Sequence, residues 1–227
     1  GSSMAVLSTG WAVDASDPNF ITPNTGTPFL NTASHPLPQP DPGDSCGKAD
    51  PASVNDYTEL AIEIEVPSNA QGLSYDFAFM SGEFPEYVCT QYDDTFLAIL
   101  ESESFTGNIS FDDAGRPVTI NIGFFDVCPV SQGGDCAGDA ELAGTGYEGT
   151  VGGGTGWLTT TAPVTPGEII KLRFIIFDEG DTIYDSLVLL DNFRWQGTPV
   201  DGPITVERDP GMSIVGQELR PWLNAEQ

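Results

Sequence analysis

Basic residues are nearly missing from this chain: seven Lys and Arg stand against 34 Asp and Glu among 227 residues, a formal net charge of −27 at pH 7. A field of that sign repels phosphate backbones and anionic membrane surfaces and attracts cations, so nucleic acid is not expected as a partner. Long apolar runs are missing too. No stretch approaches the roughly 18 unbroken apolar residues of a membrane-spanning helix, so no membrane insertion is expected within this fragment and any anchor is expected outside it. Histidine occurs once, as His35 in the Pro-rich run His-Pro-Leu-Pro-Gln-Pro, and none of the four cysteines forms a Cys-x-x-Cys pair. Zinc therefore lacks its usual ligand spacing, and a Ser or Cys triad would have to draw its base from an irregular segment; neither is expected.

What is present describes a folded body. Hydrophobic residues make up 39% and charged residues only 18%, too apolar for a disordered acidic tail. With 26 Gly and 18 Pro, long helices are disfavoured and many short strands joined by turns are expected. The start Gly1-Ser2-Ser3-Met4 reads as an expression-tag remnant. Residues 5–56 carry eight prolines and little periodicity and should wrap the core as extended loop with at most one short strand.

Strict alternation in Glu59–Val66 puts Leu60, Ile62, Ile64 and Val66 on one face and Glu59, Glu63 and Glu65 on the other. Leu73–Met80 alternates likewise, and the Pro67–Gly72 link predicts a hairpin between the two. Further strands are expected at Thr95–Leu100, Asn108–Phe111, Val118–Phe125, Gly156–Thr161, Ile169–Phe177 and Ser186–Trp195. Together they predict an all-β fold, an antiparallel β-sandwich of jelly-roll type over residues 57–196, with long loops and few or no helices. Asp112–Pro117 reads as a turn, and the Gly-dense Ser131–Gly156 as a surface excursion. Residues 197–227 are expected to be an extension, with an edge strand around Ile204–Val206 and then a tail.

An even cysteine count suits an oxidising compartment, secreted or at the cell surface. Cys128 and Cys136 are close enough in sequence for a local clip, so the expected pairing is Cys128 with Cys136 and Cys46 with Cys89; three pairings are formally open.

Two acidic clusters fall at strand ends. One spans Ser81–Val88 and Gln91–Phe96; the other, Phe177–Ser186, holds Asp178, Glu179, Asp181 and Asp185. Their mutual repulsion is unfavourable unless a cation neutralises it. Calcium fits, because it takes about six to eight oxygen ligands and tolerates irregular loops. If the sandwich brings the clusters to one rim, Glu83, Glu86, Asp93, Asp94, Asp178, Asp181 and Asp185 are the expected ligands. Tyr87, Tyr92 and Tyr184 would flank the ion and meet a ligand. The competing reading is that these carboxylates are solvated turn formers in a very acidic chain.

The sequences SGEFPEYVCTQYDDTFLAIL (81–100) and PGEIIKLRFIIFDEGDTIYDSLVLLDNF (166–193) resemble the choice-of-anchor L domain family, over roughly Val54–Trp195. Four motifs of that family occur in order: Ser-x-Glu-Phe-Pro-Glu-Tyr, Asp-Asp-x-Phe, Pro-Gly-x-x-Ile-x-Leu and Asp-x-Gly-Asp-x-x-Tyr-Asp-Ser. The resemblance implies a bacterial, exported β-sandwich module with adhesin-like or lectin-like binding, whose anchor differs between proteins. It also places Glu83, Asp94, Asp178, Asp181 and Asp185 at recurrent acidic positions. On this reading the fragment is the display domain of something longer, with a glycan or peptide as partner and no catalytic residues.

Two alternatives remain open. One is a purely structural surface domain. The other is a glycoside hydrolase using Glu63 and Glu65, since i, i+2 carboxylates on a strand fit the roughly 5 to 9.5 Å separation of a catalytic pair; alternating Glu on the wet face of a strand is the commoner reason for the pattern. Among the aromatics Trp11, Trp157, Trp195 and Trp222, Trp195 at a strand end is expected to close the sandwich interior.

Overall fold

The computed structural model describes residues 3–26, 29–37, 46–47, 50–149 and 152–208. Its strands are β1 Ala5–Ser8, β2 Thr32–Ser34, β3 Ser53–Glu65, β4 Gly72–Ser81, β5 Thr95–Glu101, β6 Thr106–Asn108, β7 Val118–Thr119, β8 Gly153–Gly154, β9 Leu158–Pro163, β10 Ile169–Asp178, β11 Ser186–Gln196 and β12 Ile204–Glu207. They form two antiparallel sheets, ordered β1-β11-β4-β9-β12 with β8 on β4, and β2-β3-β10-β5-β6 with β7 on β5.

The pairs β1 with β11, β3 with β10, β4 with β9 and β5 with β6 are nested one inside the next. The chain is thus one long antiparallel ribbon rolled into a sandwich, which is jelly-roll wrapping. β12 extends an edge, as Ile204–Val206 predicted.

The inward faces carry the expected apolar positions. Leu73, Tyr75, Phe77 and Phe79 from β4 meet Phe96, Ala98 and Leu100 from β5 and Leu172, Phe174 and Ile176 from β10 in one core. Phe77 and Phe96 pack with ring centroids 5.0 Å apart, and Tyr75 meets Phe174 edge-on at 4.9 Å. Trp195, 8% exposed, closes this core as expected. Trp11 is exposed and Trp157 half-buried, while Trp222 lies outside the described residues.

Three expectations are corrected. β3 and β4 do not form a hairpin: Pro67–Gln71 carries the chain from one sheet to the other, because the Val66 amide bonds the Glu168 carbonyl and the Gln71 amide bonds the Gln196 carbonyl. The strand over Val118–Phe125 stops after Thr119; beyond it Ile120, Ile122 and Phe125 reach the core from a turn closed by the Phe125 amide on the Ile122 carbonyl. The Gly-dense excursion is also more than surface. It contains two short 3-10 turns, Val130–Gln132 and Ala140–Leu142, and buries Leu142 and Tyr147 against Ala78, Met80 and Leu187.

Both expected disulfides are present, Cys46–Cys89 and Cys128–Cys136. No helix among the described residues is long and apolar enough to cross a membrane.

Candidate functional site

Rolling the ribbon brings the C-terminal ends of β1, β4 and β10 and the N-terminal ends of β3, β5 and β11 to one end of the sandwich. Ser81 on β4 faces Ser186 on β11, and Thr95 on β5 faces Phe177 on β10. The two acidic loops are therefore neighbours. The Asp94 amide donates to Glu83 Oε2 at 3.1 Å within the first loop, and the Ser186 hydroxyl, at the end of the second, donates to Asp94 Oδ2 at 2.5 Å and joins the two.

Residues 9–25 cross this end as a strap. The Pro23 carbonyl accepts the Asp185 amide at 2.8 Å, and the Thr9 hydroxyl oxygen accepts the Ser186 amide. The approach is close enough to require glycine: a Cβ on Gly10 would lie 1.8 Å from Asp185 Oδ2.

Under the strap lies a group of acids withdrawn from water: Glu83, Asp94 and Asp178 are 1% exposed or less, and Asp93 and Asp185 are buried with them. Asp56 joins them through a bulge. Phe177 on β10 is opposed by both Asp56 and Tyr57 of β3, and Asp56 takes φ +45°, which turns its side chain into the interior.

Both carboxylate oxygens of Asp56, both of Asp178 and Oδ1 of Asp94 are buried without a hydrogen bond of good geometry. Among the described residues no Lys or Arg pairs with Asp56, Glu83, Asp94 or Asp178; the arginines are held elsewhere, as Arg116 by Asp112, Arg173 by Glu59 and Arg194 by Asp76.

Burial, reinforced by neighbouring charge, sets the protonation of the group. Desolvation and then the charges of Asp178 and Glu83 push the Asp94 carboxyl well above the usual range, against the Ser186 hydroxyl bond. Desolvation raises Asp178 similarly, with Asp185, Asp56 and Glu83 adding to it and Thr9 opposing. Glu83 is pushed to about 8 by burial, in spite of the Asp94 amide, with Asp93, Asp181 and Glu179 adding to the rise. Tyr147, fully buried, is driven up by desolvation and by Asp185, Asp94 and Asp178, so the excursion's aromatic reaches the same group.

Of the seven expected ligands, Glu83, Asp93, Asp94, Asp178 and Asp185 lie in this buried group, with Asp181 half-buried beside it. Glu86 stands exposed, outside it. The tyrosines assemble at the outer rim: Tyr87 packs edge-on against Tyr92 at 5.4 Å and tilted against Tyr184 at 5.0 Å. A hydroxyl contact with Tyr184 and then burial push Tyr87 to about 12. Sequence reasoning missed Asp56 and Tyr147, and it placed Glu179 in the second acidic cluster without counting it among the ligands. Asp56 carried one faint signal, an Asn-Asp pair where the β3 alternation begins. Glu63 and Glu65, the carboxylate pair of the hydrolase alternative, are exposed on the outer face of β3.

A disulfide-bearing jelly-roll sandwich with a sealed acidic end belongs among surface-associated, extracellular β domains. Within that class the chain is a member of the choice-of-anchor L domain family, whose model matches residues 2–194. The match takes in β1, the strap and β2 as well as the region from Val54 onward. Comparison with curated proteins and with solved structures returned no match.

Proposed function

We propose that this domain is a calcium-stabilised extracellular binding module, in which a Ca²⁺ ion among Asp56, Glu83, Asp94, Asp178 and Asp185 locks the end of the sandwich and the tyrosine rim above it meets a glycan or peptide in an adhesin-like or lectin-like manner. The observation that carries the reading is that five buried carboxylate oxygens of Asp56, Asp94 and Asp178 lack a hydrogen bond of good geometry. Buried anionic oxygens are costly unless a cation or donors satisfy them. A hard dication that takes oxygen ligands from irregular loops suits this set better than Mg²⁺, which demands stricter octahedral geometry. The depth of the group supports a structural ion rather than one bridging to ligand, since the strap covers Asp185 and Glu83 is 1% exposed.

Calcium bound only by the folded state stabilises it by about 2.7 kcal/mol at 100 times Kd, a Tm rise of about 5–10 °C for a domain of this size. The test is thermal unfolding in calcium and in chelator for wild type and Asp178→Asn. Wild type should show the rise and the variant should not. In chelator the variant should melt no lower than wild type, because a neutral amide removes repulsion from a crowded site. Identical curves with and without calcium in wild type would refute the ion. A glycan array probed with calcium and with chelator then separates glycan from peptide ligands.

A further inference from the structure

A second cluster near this end has different chemistry. His35 follows β2, Asp50 precedes β3 and Glu179 follows β10, and because these strands are consecutive neighbours in one sheet their ends meet. The His35 amide prolongs the β2–β3 ladder onto the Ala52 carbonyl, and its ring packs edge-on against Phe177 at 5.2 Å. One ligand atom from each of His35, Asp50 and Glu179 lies within 4.8 Å of the other two. His35 Nε2 is 3.4 Å from Glu179 Oε1 and 3.8 Å from Asp50 Oδ2, with the His35 and Glu179 side chains 2% and 6% exposed.

Those separations are longer than a good N–H···O hydrogen bond. They lie near the edge of a tetrahedron, about 3.3 Å, around a dication with bonds of about 2.0–2.1 Å. The other ring nitrogen, Nδ1, is 3.4 Å from the Leu37 carbonyl oxygen and 3.3 Å from the Leu37 amide, which donates to it in the metal-free ring. Metal binding would take the proton that Nε2 shares with Glu179 and leave one on Nδ1 toward the Leu37 carbonyl, the arrangement in which a ligating histidine is oriented by a backbone carbonyl. A cavity of about 10 Å³ adjoins His35 and Asp50 and also touches Asp93 and Thr95. It has room for one water, the usual fourth ligand of an open site. Arg116 also borders the cavity, with its guanidinium committed to Asp112.

We propose that His35, Asp50 and Glu179 form a three-ligand site for a transition-metal dication of the zinc type, separate from the calcium group. An imidazole favours such ions, whereas calcium takes oxygen ligands. Linear spacing hid the site, because its three ligands come from three segments far apart in the chain.

The test uses the tag-free, metal-stripped chain in saturating calcium, titrated with Co²⁺ and then Zn²⁺. Visible d–d bands of tetrahedral Co²⁺ should appear at one equivalent and be bleached by one equivalent of Zn²⁺. Since the chain has a single histidine, its ring resonances should shift with the same stoichiometry. His35→Gln should weaken Zn²⁺ binding at least about 100-fold, the upper end of what even an outer-shell loss costs. Asp50→Asn, at a more exposed position, should weaken it while leaving the near-UV circular dichroism unchanged. Absence of Zn²⁺ binding at micromolar concentration, or binding equally tight in His35→Gln and Asp50→Asn, overturns the proposal. The calcium-dependent Tm rise, measured in the same variants, should persist, so failure of either metal site is visible on its own.

Discussion

Glu168 shows how a carboxylate behaves when donors are supplied. At the opposite end of the sandwich it accepts the Glu103 amide at 2.6 Å, the Thr165 amide at 2.6 Å and the Ser102 hydroxyl at 2.7 Å, tying the β9–β10 turn to the β5–β6 turn. Burial pushes its carboxyl up, but those three donors outweigh burial and hold it below the ordinary range. Glu168→Ala strands two amides and should cost about 2 kcal/mol at pH 7 in urea unfolding. A depressed folded value means that this stabilisation is complete above the unfolded glutamate range, about 4.3, and disappears as the pH falls through the lower folded value. The gap between wild type and variant should therefore close in acid; a gap constant down to pH 3 would show that the charge contributes nothing. Asp178 is approached by the Thr9 hydroxyl and Asp56 by the backbone amides of Phe29, Leu30 and Asn31, but none closes a hydrogen bond of good geometry and burial prevails in both, which makes the acidic end unusual. Asp94, Asp178 and Asp185 were legible in the sequence because short loops between apolar strands crowd their charges. Asp56 was not, since a bulge with φ +45° turns it inward and alternation alone cannot place a bulge. Glu86 belongs to the same motif as Glu83 yet stays in solvent, because motif membership does not fix which way a turn presents each side chain.

Periodicity located β4, β5, β10 and β11 within a few residues and missed the first six residues of β3, and it could not assign the strands to sheets. An apolar face looks the same whether its partner is the next strand or one a hundred residues away, so the Pro67–Gln71 crossing read as a hairpin. The strap over residues 9–25 was legible only as irregular, Pro-containing chain, although it roofs the acidic group. Its contact with the group is steric at Gly10, where a methyl would overlap Asp185 Oδ2. Gly10→Ala should therefore displace the Asp185 carboxylate without altering any charge, at a cost of about 1–3 kcal/mol for overpacking. Calcium titration by calorimetry should show weaker binding than in wild type. Unchanged calcium affinity in a folded Gly10→Ala would mean that Asp185 is not part of the calcium site.

At the scale of the whole molecule, a net charge of −27 invites a simpler account of any calcium effect. Self-repulsion destabilises a compact state, and every salt relieves it by screening. The screening length falls from about 10 Å at 0.1 M to about 3 Å at 1 M ionic strength, so exposed acids such as Glu63, Glu65 and Glu86 respond to sodium as well as to calcium. The buried group responds differently, because solvent ions do not screen carboxylates that the strap and Tyr147 seal from water. Thermal unfolding at one fixed ionic strength, set with NaCl, MgCl₂ or CaCl₂, separates the two terms. Screening predicts equal Tm values in all three salts. An oxygen-lined site predicts calcium above magnesium above sodium, magnesium trailing because it sheds its waters reluctantly and demands octahedral geometry. In Asp178→Asn the three salts should converge while the shared screening rise survives. Three equal curves in wild type would reduce the acidity to a solubility property and leave the orphaned oxygens of Asp56 and Asp178 to be neutralised by protons instead.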